Sequence, residues 1–534
     1  MVTSPRLARL FRLDAIVVDL AIVTVVTILL TQATARSGEP DTPSSAWPQI
    51  QESALVRHIN TLASDTLRGR AAGSEGGHAA GAYLVKSLRE CNLQPGGKDG
   101  DFYQEFSDRG FRNVLAVLPG SDPALKHRFV VLGAHYDHVG LGTKRTSLGG
   151  LGQIHNGADD NASGTAAVLE VARVLATSPS RTRRRSILFV FWDAEELGLL
   201  GSKHWVQAPT TPIDSIDLAI NADMLGRLRS NRLVVFGSRT GAGLRQLIAT
   251  PNSRLATPLT LAFNWNLIAN SDHHPFFANN VPVLFLHTGL HDNYHRPSDD
   301  AVLIHWKGLT RISRLLAELT LDAANRSSLP AHRAAAGHES EEHRQRLESA
   351  ALTAQQRLGA TWDPDMAQRG VIQLTHIFDD TAADEADLKK GDRLLELGNA
   401  RIRSVQQLTR QLLTASSPLA VIAQRPRKKK LRRESLLLPG RPRKLGFDWY
   451  TDVAEPGCVI VRGVVPGTPA AAAGLADADR IISVNGQPIE RPAVFSDLLD
   501  RQAGKLSLLV EHQGHLKTLI VTRSTPPGDS GHAR

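Results

Sequence analysis

Four short segments of this sequence run from an apolar stretch, or towards a small-residue helix start, into side chains that can hold a metal ion. Val130-Val-Leu-Gly-Ala-His-Tyr-Asp-His138 closes with His135 and Asp137, two residues apart and able to face one side of an extended chain. A zinc-bound histidine commonly has its second ring nitrogen held by a carboxylate. His135 is therefore read as a ligand and Asp137 as the group that orients it. Asn156-Gly-Ala-Asp-Asp-Asn-Ala-Ser-Gly164 places paired acids before a helix start, where a cap or an Asx turn would be the bland explanation. In Ile187-Leu-Phe-Val-Phe-Trp-Asp-Ala-Glu-Glu-Leu197, Glu195 and Glu196 come straight off an apolar run. Unpaired charge there would be costly, and a nearby cation would remove that cost. Leu218-Ala-Ile-Asn-Ala-Asp223 ends another run in an acid. Ser271-Asp-His-His-Pro275 and Asp292-Asn-Tyr-His-Arg-Pro-Ser-Asp299 supply histidines further on. A lone histidine is more often exposed or hydrogen-bonded than ligating. The joint set, carboxylates with histidines and no cysteine, suits zinc, and less often manganese or cobalt.

Such ligands gather where strands end in an α/β sheet. Between about 49 and 325 the sequence alternates in that manner. Helical stretches (Glu52 to Ala63, Glu75 to Cys91, Gly164 to Ala176) interleave with the runs Phe129 to Leu132, Ser186 to Trp192, Leu218 to Ala222, Leu233 to Phe236 and Val283 to Leu286. Short Val-, Ile- and Phe-rich runs between helices predict buried strands of a mostly parallel or mixed sheet flanked by helices.

The order and wording of these segments resemble family 28 of the metallopeptidases, which includes bacterial leucyl aminopeptidases, glutamate carboxypeptidase II and glutaminyl cyclases. The resemblance spans roughly 50 to 325 and implies a zinc exopeptidase fold with two zinc ions. It implies that His135 and Asp223 hold one ion, that Glu196 and His295 hold the other, and that Asp160 bridges them. It implies a cis bond after Asp160, Glu195 as general base, and Tyr294 as a group stabilising the oxyanion. The activity implied is aminopeptidase action on peptides with a free N-terminus. Carboxypeptidase, dipeptidase or glutaminyl cyclase chemistry on the same fold, or a non-catalytic PDZ scaffold, are the alternatives.

The remainder contains a repeat. Leu358-Gly359 recurs as Leu445-Gly446, Gly370 as Gly457, Asp392-Arg393 as Asp479-Arg480 and Gly398-Asn399 as Asn485-Gly486, always 87 residues on. The copies resemble PDZ domains, which are small β+α modules. Leu358-Gly-Ala-Thr-Trp362 and Leu445-Gly-Phe-Asp-Trp449 stand where carboxylate-binding loops do. The second copy has Gly467-Thr-Pro-Ala470, whereas the first has Asp379-Asp-Thr-Ala382 in its place. Binding of peptide or protein C-termini by strand addition is the implied role, and packing modules the alternative. The division expected is 49–325 for the peptidase, 326–350 for a linker helix, 351–432 and 433–523 for the repeats, and 524–534 for a tail.

At the other end, Arg6, Arg9 and Arg12 precede an apolar run from Leu20 to Leu30, and Ala33-Thr-Ala35 offers a cleavage site. Residues 1–35 are expected to be a signal peptide or an uncleaved signal anchor, followed by a linker at 36–48. Either would place the rest outside the cytoplasm, in the periplasm, secreted, or membrane-anchored facing outward. Of 534 residues, 42% are hydrophobic and 22% charged, which argues against a disordered chain. The net charge of +9 is concentrated in runs such as Arg425 to Arg433. No zinc-finger or helix-turn-helix spacing accompanies it, so nucleic acid is not an expected partner. Two cysteines, Cys91 and Cys458, fall in separate regions and predict no disulfide framework.

Overall fold

A computed structural model describes residues 49–178, 185–349, 351–425, 430–501 and 504–522. The expected export segment and the linker at 36–48 lie outside them. Among the described residues no helix is long and apolar enough to cross a membrane.

The N-terminal sheet has nine strands: β1 (Gln94–Pro95), β2 (Tyr103–Phe106), β3 (Phe111–Leu118), β4 (Phe129–His135), β5 (Ser186–Trp192), β6 (Ile216–Ala222), β7 (Arg232–Phe236), β8 (Thr260–Phe263) and β9 (Val283–His287). Their order is β1-β3-β5-β4-β6-β9-β7-β8, with β2 on β3. The middle four strands, β5, β4, β6 and β9, are mutually parallel, while β3 and β7 join them antiparallel. The sheet is therefore mixed, with a parallel centre. Every residue of β5 is buried, which is why Ser-Ile-Leu-Phe-Val-Phe-Trp carries no polar alternation. Helices α1 (Glu52–Leu62), α2 (Glu75–Glu90), α3 (Gly164–Thr177), α4 (Leu200–Gln207), α5 (Leu244–Arg254), α6 (His273–Ala278) and α7 (Trp306–Asn325) accompany it. Both α3 and α7 pack over β4. Helix α3 buries Ala166, Ala167, Val168 and Val171, small residues that bring its axis close to the strands.

Two further sheets follow. Strands β10 (Ala360–Trp362), β11 (Ile372–Ile377), β12 (Arg393–Leu397), β13 (Ala400–Arg401), β14 (Leu419–Arg425) and β15 (Lys430–Leu436) run in the order β10-β11-β12-β14-β15, with β13 on β12. Strands β16 (Asp448–Tyr450), β17 (Val459–Arg462), β18 (Arg480–Val484), β19 (Gln487–Pro488), β20 (Lys505–His512) and β21 (His515–Thr522) repeat that order. Each sheet has its own apolar cluster, one around Leu358, Leu394 and Leu408 and one around Phe447, Ile481 and Phe495. Both loops expected to resemble carboxylate cradles hold glycine in the left-handed region, Gly359 at φ 77° and Gly446 at φ 97°. A Cβ at either would lie 2.1 Å or 2.0 Å from Thr381 or Thr468, so only glycine fits. Thr381 and Thr468 occupy equivalent places, and the turn therefore survives in the divergent first copy.

The second repeat is fastened to the peptidase sheet. Gly243 N–H donates to Ala454 O and Leu261 N–H to Gln513 O, each at 2.8 Å. Between these bonds Arg239 meets Asp452 and Arg245 meets Glu511 across the contact, each at 2.7 Å, and Glu455, paired with Arg480 of its own repeat, lies 3.7 Å from both Arg239 and Arg245. Burial alone would raise the pKa of Glu455, but Arg480 and Arg245 outweigh it and bring it from 4.5 to about 2. A carboxylate depressed in the folded state stabilises it above its unfolded pKa, and that contribution fades as pH falls towards the folded value. Docking of this repeat is expected to loosen between about pH 4.5 and pH 2. Small-angle scattering of the intact chain checks this. A radius of gyration constant down to pH 2 would contradict it.

Candidate metal centre

The carboxyl ends of the parallel strands carry most of the predicted site. His135 is the last residue of β4, Asp223 follows β6, Glu195 and Glu196 follow β5, and His295 lies in the loop after β9. Asp160 sits in the turn that feeds α3, and its peptide bond to Asn161 is cis. These side chains form two groups. Within each, potential ligand atoms lie within 4.8 Å of one another: His135, Glu195 and Asp223 in one, and His138, Asp160, Glu196 and His295 in the other.

Asp160 divides its carboxylate between them. Its Oδ1 is 3.4 Å from His135 Nε2, which is also 3.4 Å from Asp223 Oδ1. Its Oδ2 is 3.1 Å from His295 Nε2, which is 3.0 Å from Glu196 Oε2. Asp160 Oδ2, Asp223 Oδ1 and His295 Nε2 are buried and have no hydrogen-bond partner. Buried polar atoms of this kind are rare and costly, and their places, Asp223 Oδ1 in one group and Asp160 Oδ2 with His295 Nε2 in the other, fit cations. Nitrogen and carboxylate oxygen without thiolate fit zinc.

The charges around this space act on one another strongly. Burial, which would lower the pKa of His295, is outweighed by Asp160 and Glu196, which raise it to about 10. Burial raises Glu195 well above the usual carboxylate range; His135 opposes this, while Glu196, Asp272 and Asp223 add to it. Burial and the field of Asp160, Glu196, Asp223 and Glu195 raise Tyr294, whose ring stacks on His295 at 3.9 Å. Tyr294 thus keeps its hydroxyl proton at any ordinary pH.

The surroundings depart from sequence expectation in three places. Asp137 does lie beside His135, but His135 Nδ1 is 3.2 Å from the Asp137 carbonyl and 3.7 Å from its carboxylate. That carboxylate instead accepts the N–H groups of Glu195 and Glu196 at 3.0 and 3.3 Å, steadying the turn that carries both acids. His273 and His274 stay out of both groups. His273 stacks on Phe285 at 4.6 Å, and the useful member of its segment is Ser271, which donates to Asp223 Oδ2 at 2.7 Å. His138 stands in the second group, although the sequence reading gave it no role.

Two more residues escaped the sequence reading. Arg70 is fully buried and donates to the carbonyls of Leu62, Tyr136, Asn156 and Gly157, tying together the loops that carry His138 and Asp160. Asp299 Oδ2 accepts from the N–H groups of Asp159 and Asp160 at 2.9 and 3.0 Å, and its Oδ1 accepts from Arg227 at 2.8 Å. It joins the His295 loop to the Asp160 turn. The only sequence signal for Asp299 is its place four residues after His295. Arg70 gives none, since its partners are all carbonyls.

The paired metal-capable groups lie at the carboxyl ends of the central strands, where α/β sheets gather ligands. Residues 113–320 match the model of Peptidase family M28, and residues 460–511 match a PDZ domain. Leupeptin-inactivating enzyme 1 of Streptomyces exfoliatus is 28% identical over 245 residues, covering 45% of this chain and 50% of that protein. A probable lipoprotein aminopeptidase, LpqL of Mycobacterium tuberculosis, is 37% identical over 115 residues, covering 21% of this chain and 19% of that protein. The chain thus spans half or less of the length of these relatives. The solved zinc aminopeptidase of Bacillus subtilis is 17% identical with a TM-score of 0.42, covering 55% of this chain and 98% of that one.

Proposed function

We propose that this chain is an exported, zinc-dependent aminopeptidase that removes residues from the free N-terminus of peptides. The observation that carries the reading is the division of the Asp160 carboxylate between two ligand groups. His135 and Asp223 would hold one zinc, Glu196 and His295 the other, with Asp160 common to both. Bound there, two zinc ions would supply Lewis acidity, polarising the scissile carbonyl and acidifying water.

The chain's own groups do the rest. Glu195, released from its raised pKa by positive charge in the cluster, accepts the proton of the attacking water and passes it to the leaving amine. Tyr294, held protonated, donates its hydroxyl to the oxygen on which negative charge develops. Asp137 fixes the Glu195 backbone and Ser271 fixes Asp223, so the geometry is set before substrate arrives. Export rests on the charge and apolar order of residues 1–35. The proposed division is the peptidase at 49–325, a linker at 326–350, and PDZ-like repeats at 351–432 and 433–523 that take peptide or protein C-termini.

The test is metal analysis of the full chain together with a panel of aminoacyl, N-blocked and N-terminal-glutamine peptides. Two zinc ions per chain, hydrolysis of free-N-terminal substrates only, and loss of that hydrolysis in chelator are expected. Cleavage of blocked peptides, cyclisation of glutamine, or peptide binding without turnover would each replace this reading by one of its alternatives.

A further inference from the structure

Resting on the two-metal reading above, we infer that His138 is a positioning residue that fixes Glu196 in one-oxygen ligation of its metal. The argument comes from which atoms are left without partners. Around this space the atoms that would face a cation, Asp160 Oδ2, Asp223 Oδ1 and His295 Nε2, have no hydrogen bond. His138 is different. Its Nδ1 lies 2.8 Å from Glu196 Oε1, a hydrogen-bond distance, and its Nε2 is the atom without a partner.

A ring proton on Nδ1 satisfies this arrangement. That N–H donates to Glu196 Oε1 and leaves only a bare lone pair on the buried Nε2. Were Nδ1 a metal ligand, the proton would sit on Nε2, and a buried N–H would have no acceptor, the costlier outcome. Glu196 Oε1 is thereby occupied, and Oε2, 3.0 Å from His295 Nε2, is the oxygen left for the ion.

The ring cannot easily move away. It is buried, and its edge faces the backbone of Gly157, where a Cβ would fall 2.4 Å from the His138 ring. Gly157 adopts φ 57°, and its carbonyl is held by Arg70. The His138 N–H in turn donates to the Arg70 carbonyl at 3.3 Å. His138, Gly157 and Arg70 form a brace beside Glu196. Neighbours that hold a ligand in this way commonly change metal affinity ten- to a hundredfold.

The experiment is calorimetric titration of the metal-free full chain with Zn²⁺, and with Co²⁺ while its visible absorption is recorded. The wild type is expected to bind two ions. His138→Ala should bind one ion as before and the second about 10- to 100-fold more weakly. Retention of the first ion also shows that the variant is folded. His138→Gln, which keeps an N–H donor, should recover most of the second affinity, and the Co²⁺ absorption of the loaded variant should match that of wild type. Equal affinities in wild type and His138→Ala overturn the inference. So does a Co²⁺ spectrum altered alike in both variants, which would make His138 a ligand. A wild type that binds fewer than two ions would instead refute the two-metal reading itself.

Discussion

Glu195→Ala is expected to retain two zinc ions per chain while losing about a hundredfold or more in kcat, the usual contribution of a positioned proton-transfer group. The carboxylate belongs to the His135 and Asp223 group, yet the two acids it follows in space, Asp223 and Asp160, already place an oxygen 3.4 Å from His135. On the proposed assignment, removing Glu195 takes away the acid that shuttles a proton and leaves the Asp160 carboxylate in place. Its backbone N–H still bonds Asp137, so the turn and Glu196 should stay where they are. Metal content with steady-state kinetics on one aminoacyl substrate decides the matter. Near-normal turnover would remove Glu195 from the role, and loss of zinc would make it a ligand.

A larger loss is expected from Asp160→Ala. One substitution removes an oxygen from each group, and His135 and His295 each lose a carboxylate within 3.4 Å. Metal content should fall below two ions per chain, and activity should fall about a thousandfold or more, since the several kcal/mol from a bound metal disappear. The backbone of the turn is held by Asp299 through amide groups that the substitution keeps, so the domain is expected to fold. If the variant carries two ions and works, Asp160 is not shared between them.

The parts of the fold legible in the sequence are those where burial is two-sided. Strands β4, β5, β6 and β9 lie in the middle of the sheet and appear as mostly apolar runs, interrupted in β6 by Asp217 and Asn221. The antiparallel flank was harder to see. In β3, Phe111-Arg-Asn-Val114 mixes polar and apolar residues because Asn113 is buried against Gln104 and the Gly201 carbonyl. Residues of the site that follow such strands could be named because position and side-chain type agree. Residues that serve the backbone could not. Arg70 and Asp299 act on carbonyls and amide groups far off in sequence, and His138 stood next to a better candidate in His135. His273, stacked on Phe285, shows that histidine type carries no information on whether a ring packs on a phenylalanine or faces an ion.

The proposed ligands span positions 135 to 295 and lie at the ends of separate strands, so no stretch of the unfolded chain can assemble them. A cation held at these strand ends would act as a rivet through the sheet's open rim, and its binding would be coupled to folding. Free metal at a hundred times its dissociation constant adds about 2.7 kcal/mol for each position it fills. Such a protein is sturdiest where zinc is plentiful, and in a metal-starved compartment it loses rigidity together with catalytic power.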